Sequence, residues 1–267
     1  MQPFLIFLTF CFGTIIGSFL NVVILRLPEG QGITGRSYCV KCKHTLAVLD
    51  LVPLLSFVFL KGRCRFCKTK ISSRYFIVES ITGLLFAAAF IYLNPMSLAG
   101  VALLLKYWLA LSALAAVFMI DFENFLILDQ VVFPAAALIF GFNVILDLGS
   151  HINILSLYSH TVSGLIAAAS LCLLFFLVWF FSKGLWLGFG DVKLAALLGL
   201  ILGWPLILVG FMLAVILGGV VSAFLLLFKG KTLKSQVPFG TFLALGTVFA
   251  LFYGDKLFNW YLAILGF

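Results

Sequence analysis

Three aspartates and four cysteines are the residues of this chain whose types and spacing can do chemistry. Asp121 ends an apolar run in "VFMID", Asp129 opens the next run, and Asp191 follows two glycines in "GFGDVKLAALLG" at 188–199. A carboxylate at membrane depth is costly, so it faces a bundle interior or a water-filled cavity and is a functional candidate by default. Two carboxylates that share a site cannot both ionise easily; one keeps a proton and the other loses it. The charged one can take a proton from a trapped water, while the neutral one hydrogen-bonds the carbonyl under attack. That is amide hydrolysis of the aspartic type, which needs neither a metal nor a covalent intermediate, and Asp121 with Asp191 is the expected catalytic pair. Gly188 and Gly190 let the backbone approach an extended substrate and allow the turn into the helix. Asp191 at that helix N-terminus has the dipole favouring its ionised form. Lys193 either sets the charge at this substrate-binding site or snorkels to the headgroups. Asp129 reads as a helix N-cap ahead of a catalytic role, and Glu123 as an interfacial surface residue. A proton relay in a transporter would explain the same placement of acids.

The cysteines form "CVKC" at 39–42 and "CRFC" at 64–67, separated by 21 residues. Two close pairs can supply four thiolates to a tetrahedral ion, and this spacing reads as a zinc site. Two disulfides or a redox pair are the competing readings; a loop facing a reducing cytosol argues against disulfides. Four thiolates leave no open position for water, so the zinc formed by Cys39, Cys42, Cys64 and Cys67 would be structural. A segment of this size with a small apolar core needs such a staple. His44 lies beside Cys42 as a further ligand candidate, but the shell is already full. Cys11 and Cys172 fall inside apolar runs and read as packing residues.

The elements that must position these groups are transmembrane helices. Of 267 residues, 64% are hydrophobic and 10% charged, against about a quarter charged in a soluble domain. Runs near the roughly 20 residues a spanning helix needs recur at 4–25, 75–93, 98–120, 131–148, 162–181, 192–202, 206–228 and 239–253. The sixth is short and the last ragged, giving seven or eight spans. The first lacks a basic flank and a cleavage site and reads as a retained helix. The fold expected is an all-α polytopic membrane protein with a first helix at 1–25, a small zinc-binding cytoplasmic domain at 26–74 and a transmembrane domain at 75–267. Ten of the 17 Lys and Arg lie in 26–74, which places that segment in the cytoplasm. Counting spans from there puts Lys183, Lys193, Lys229, Lys231 and Lys234 on the same side, together with Asp121, Asp129 and Asp191; only Lys106 and Lys256 do not fit. Basic residues confined to membrane-flanking loops exclude a nucleic-acid partner. The middle of the long loop, "LDLVPLLSFVFLKG", is too apolar for full solvation and is expected to lie on the membrane or cover the bundle. Glu29, Asp50, Asp147 and Asp255 fall in loops or at their edges and need no special explanation. Glu79, near the start of the second run, either pairs with a loop Arg or Lys or is functional.

At this point the motifs resemble a family, the bacterial type IV prepilin peptidases, which are GxGD-type intramembrane aspartic proteases. "GSFLNVVILRLP" at 17–28 is similar to the family's opening signature, followed by the paired CxxC motifs with "PLLS" at 53–56 and "GRC" at 62–64 between them. "ISSRY" and "VE" resemble the start of its second span, "ID" and "GFGDVKLAALLG" its two catalytic motifs, and "VPFGTFLALG" at 237–246 its C-terminal signature. The likeness runs nearly end to end. It implies Asp121 and Asp191 as the catalytic aspartates and the four cysteines as the zinc ligands, in the bacterial inner membrane. It also implies cleavage of the basic leader from prepilins or pseudopilins after a glycine, at the cytoplasmic face, then methylation of the new N-terminus with S-adenosylmethionine. No glycine-rich nucleotide fingerprint is present, so the methyltransferase rests on the resemblance alone; Glu79 is the cofactor-binding candidate. Leu128, Phe76 and Thr241 stand where members carry proline. The alternative class, a proton-coupled transporter with a zinc-stapled cytoplasmic domain, would be expected to show internal repeats; none is detected. A zinc-dependent scaffold without catalysis would have no need for two carboxylates at membrane depth.

Overall fold

The computed structural model describes residues 2–150, 152–228 and 237–266. The basic cluster Lys229, Lys231 and Lys234 lies outside the described residues. Among the described residues the chain is helical, with α1 (Gln2–Arg26), α2 (Leu55–Phe59), α3 (Arg74–Leu93), α4 (Leu98–Asn124), α5 (Asp129–Gly149), α6 (His160–Phe181), α7 (Phe189–Leu202), α8 (Leu206–Phe228) and α9 (Phe239–Ile264). Seven of these are long and apolar enough to cross a membrane. The chain divides into two compact units between Asn94 and Pro95.

In the first unit α1 and α3 pack antiparallel through small residues. A Cβ on Gly13 would lie 2.8 Å from the Gly83 Cα, and one on Gly17 2.8 Å from the Glu79 Cα. Lipid offers no hydrophobic drive between helices, so close backbone approach at such positions supplies the packing. Between them the long loop folds into a 3-10 turn at Val48–Asp50 and the single-turn-and-a-half α2. Phe57 of α2 packs its ring 5.5 Å from that of Phe76, so the apolar middle does cover the start of α3. Leu49 and Phe59 stay exposed. Asp50 pairs with Arg65 at 2.8 Å.

In the second unit α7 is the central element. At 14 residues it is about 21 Å long, short of the roughly 30 Å hydrocarbon core. It is surrounded by α5, α6, α8 and α9, with Leu194, Ala195, Leu197 and Leu198 fully buried. A helix enclosed by protein need not match the bilayer by itself. It runs antiparallel to α6: Cys172 donates to the Val192 carbonyl at 3.2 Å, and Gly199 meets the Ala168 backbone so closely that a Cβ there has no room. Thus α7 carries the chain from one end of the unit to the other, although at 14 residues it is not among the seven helices long enough to cross a membrane. The last helix, α9, continues to Ile264 beyond the expected end at 253, and takes Asp255 into the helix.

Asp147 overturns its sequence reading. It is not a loop residue without consequence but lies inside α5, fully buried. Its carboxylate accepts from the amides of His160 and Thr161 at 2.7 and 2.9 Å and from the Thr161 hydroxyl. It therefore satisfies donors that the first turn of α6 would otherwise leave orphaned. The same carboxylate acts electrostatically on Lys106 of α4, only 6% exposed, which explains the one intraspan lysine the charge count could not place. Replacing Asp147 by alanine strands a buried ammonium and the α6 donors together. The expected cost is roughly 3–5 kcal/mol, read as a lower thermal midpoint of the detergent-solubilised protein. Adding Lys106→Met should restore part of it, and an unchanged midpoint in the single variant would contradict this role.

Candidate active site and metal site

Asp121 stands in the last turn of α4, 5% exposed, and Asp191 in the first turn of α7, 9% exposed. They are near enough that the charge on Asp121 acts directly on Asp191. Each is met by a helix N-terminus. The Gly188 amide donates to Oδ2 of Asp191 at 3.2 Å, which is the local cap of α7. Asp121 is held from 120 residues away: the Thr241 amide donates to its Oδ2 at 2.7 Å and the Thr241 hydroxyl to the same atom at 3.0 Å. Thr241 is the third residue of α9, so its N–H is one of the free donors of that helix and lies at the positive end of its dipole.

Two glycines make this convergence possible. A Cβ on Gly240 would lie 3.0 Å from Oδ2 of Asp121 and 3.1 Å from Cδ1 of Ile127; one on Gly190 would lie 3.0 Å from the Ile127 Cβ. Ile127, in the turn after α4, therefore fills the space between the starts of α7 and α9. The α4–α5 turn that carries it is set by Phe125, left-handed at φ 56°, whose amide bonds back to the Asp121 carbonyl.

Asp121, Asp191, Gly188 and Gly190 thus lie where the end of α4 meets the starts of α7 and α9. Asp129 is not a helix N-cap. Leu128 occupies that position with no side-chain cap, and Asp129 is the first residue of α5. Its half-exposed carboxylate instead holds the Lys193 ammonium with both oxygens, at 2.7 and 2.8 Å. That ammonium also lies 5.4 Å from the centre of the Phe189 ring, so Lys193 ties α7 to α5. Glu79 belongs to the first unit. It is buried on α3, and its Oε2 accepts from the Leu54 amide at 2.9 Å. Reading the residues missed Gly240, Thr241 and Ile127. The available signal was Pro238 two residues ahead of Gly240 at the head of an apolar run, which marks a helix start able to receive an anion.

In the first unit the Sγ atoms of Cys39, Cys42, Cys64 and Cys67 all lie within 4.8 Å of one another. Cys39 and Cys67 are 3.8 Å apart, matching the edge of about 3.8 Å for a tetrahedron with 2.3 Å metal–sulfur bonds. The two CxxC motifs fold alike. Cys39 and Cys64 donate to the carbonyls of His44 and Thr69 and accept from the amides of Lys43 and Lys68. The Cys42 amide, with burial acting against it, pushes the Cys39 thiol down to about 6, favouring the thiolate that binds metal. His44 stacks its ring 3.6 Å from that of Phe66 and is not needed as a ligand. The cluster could hold a metal ion.

Lys43 and Lys68 occupy equivalent places and are left-handed at φ 57° and 56°, which costs an L-residue about 1–2 kcal/mol. Glycine at either position should relieve part of that strain. Lys43→Gly and Lys68→Gly are expected to make the loop more resistant to limited proteolysis with metal content unchanged. Faster digestion of both would contradict the strain argument.

Comparison with known proteins agrees with this arrangement. Residues 11–93 match the bacterial peptidase A24 N-terminal domain, and residues 108–223 match the type IV leader peptidase family. The chain is 34% identical to a prepilin leader peptidase/N-methyltransferase of Aeromonas salmonicida over 98% of its own length and 95% of that protein. A protein of the same name from Bacillus subtilis is 33% identical over 95% of this chain and 96% of its own, and one from Pseudomonas aeruginosa is 29% identical over 97% and 94%. No solved structure matches. With motifs, helices and facing aspartates in agreement, the chain belongs to the type IV leader peptidase family.

Proposed function

We infer that this protein is a membrane-embedded aspartic endopeptidase that removes the leader of type IV prepilins or pseudopilins and N-methylates the new N-terminus. The observation that carries the peptidase is the pair of buried carboxylates, Asp121 and Asp191, converging from α4 and α7. Hydrolysis needs one of them charged and one protonated. The charged carboxylate takes a proton from water as its oxygen attacks the scissile carbonyl carbon, and the protonated one gives its proton to the carbonyl oxygen. When the resulting diol collapses, the carbon–nitrogen bond breaks. The proton taken from water passes to the leaving amine, and the diol hydroxyl returns one proton to its partner carboxylate. Gly188 and Gly190 expose backbone where an extended substrate would lie, and Lys193 with Asp129 places a half-exposed polar pair beside it. The proton-coupled transporter reading has no finding in its favour.

The four cysteines fit zinc, which would be structural: four thiolates complete its shell and clip the two folded CxxC motifs together. For the methyl donor, the first unit offers a buried carboxylate at Glu79 and, on the facing helix, Asn21, 2% exposed with a buried Oδ1 that meets no partner among the described residues. These fit a cationic group, and Glu79 is the residue proposed to hold the donor. S-Adenosylmethionine, when bound, supplies the methyl group; the protein's part is to hold the donor and accept the substrate amine. The excess of Lys and Arg in 26–74 favours placing this loop and the active site at the cytoplasmic face of the inner membrane, where a basic leader would remain.

The deciding experiment is co-expression with a prepilin-type substrate. Asp121→Asn and Asp191→Asn should each lower cleavage by at least about a hundredfold with the protein still folded in the membrane; continued cleavage in either would reject the paired-acid mechanism. Glu79→Gln should leave cleavage intact and yield product lacking the added methyl by mass spectrometry, and a fully methylated product would remove Glu79 from that role. Purified protein should carry one zinc, reduced to near zero in Cys64→Ser. Wild-type protein without zinc and with four reduced thiols would overturn the staple.

A further inference from the structure

We propose that Thr241 is the positioning residue of the aspartate pair: its amide and hydroxyl together occupy Oδ2 of Asp121, leaving Oδ1 as the oxygen that takes the proton from water. The inference rests on the peptidase reading and adds to it which oxygen works and which aspartate starts charged.

Both Thr241 bonds end on one atom, at 2.7 and 3.0 Å, and Thr241 is only 4% exposed. A carboxylate oxygen accepting two hydrogen bonds has its lone pairs directed at those donors and is not placed to bind a proton. The proton shared by the pair must then sit on Oδ1 of Asp121 or on Asp191. Among the described residues Asp191 has a single donor within hydrogen-bonding distance, the Gly188 amide at 3.2 Å, so the stronger compensation of charge is at Asp121. Asp121 is accordingly the base, and Asp191 begins with the proton. This reverses the expectation drawn from the α7 dipole alone, because α9 brings a second helix N-terminus and a hydroxyl that the linear sequence does not place beside Asp121.

The anchor also fixes geometry. Oδ2 is pinned to the start of α9 by two donors, so rotation of the carboxyl group about its own bond is restrained. Gly240 leaves the approach open on one side, since any Cβ there would meet the same oxygen at 3.0 Å. A proline at 241 would have no amide hydrogen and no hydroxyl. Both donors of the anchor therefore depend on a non-proline, hydroxyl-bearing residue at 241.

The hydroxyl can be separated from the amide. Thr241→Val keeps shape and the amide, Thr241→Ser keeps both donors, and Thr241→Cys offers a weaker donor. With a prepilin-type substrate in detergent or proteoliposomes, Thr241→Val should lower kcat by about ten- to a hundredfold, the effect of one charge-assisted hydrogen bond, with KM unchanged. Thr241→Ser should recover kcat and Thr241→Cys should fall between. That order must hold even if the variants differ in thermal midpoint. A Val variant within twofold of wild type, or a Ser variant as slow as Val, would overturn the proposal. Failure of wild-type protein to cleave would instead overturn the peptidase reading on which it rests.

Discussion

Negative charge inside a helix bundle must be met by donors, and in the second unit those donors are helix N-termini. Asp121 receives the start of α9, Asp191 the start of α7, and Asp147 the start of α6. Much of the unit's layout follows. Since α4 ends where α9 begins, the chain must return to the same end of the unit before residue 239, and α7 with α8 provide the outward and return passes. Because α7 starts beside Asp121, it must be enclosed by its neighbours, and enclosure lets it be shorter than a lipid-facing span. Gly190 and Gly240 are small because Ile127 and a carboxylate oxygen already occupy the space where their side chains would be.

The same logic separates the pair that can do chemistry from the acid that holds the fold together. Asp147 is saturated: two amides and a hydroxyl satisfy it, and Lys106 balances its charge. Nothing is left with which to handle a proton. Asp121 keeps one oxygen that Thr241 does not occupy, and its charge acts on Asp191. An incompletely compensated pair of acids costs stability, and that unspent capacity is what the proposed peptidase would use.

The first unit solves its own problem by different means. Its long loop has a small apolar core, and four converging cysteines are placed where a bound metal would supply the cross-link that a larger core otherwise provides. The loop tolerates left-handed lysines at both CxxC turns, as expected where an external constraint dictates the backbone. The helix pair below it relies on glycine contacts, and near these lie a buried carboxylate and an unpaired amide oxygen.

The sequence made plain what depends on type and local spacing. The apolar runs gave the helices, the two CxxC pairs gave the cluster, and "ID" with "GFGD" gave the aspartates. What it hid depends on partners far along the chain. Asp147 looked like a loop-edge residue because its partners are Lys106, 41 positions earlier, and the α6 start across a turn. Asp129 looked like a cap because nothing local reveals that Lys193 reaches back 64 residues to it. Thr241 showed no chemistry until α9 was seen against Asp121. The central claim is that the pair holds one proton, on Asp191, while Asp121 is an anion anchored by α9. Infrared difference spectroscopy of the protein at neutral pH, wild type against each asparagine variant, tests it directly. One protonated carboxyl C=O band should disappear in Asp191→Asn and persist with a shift in Asp121→Asn. Loss of the band only in Asp121→Asn, or no such band in wild type, would contradict it.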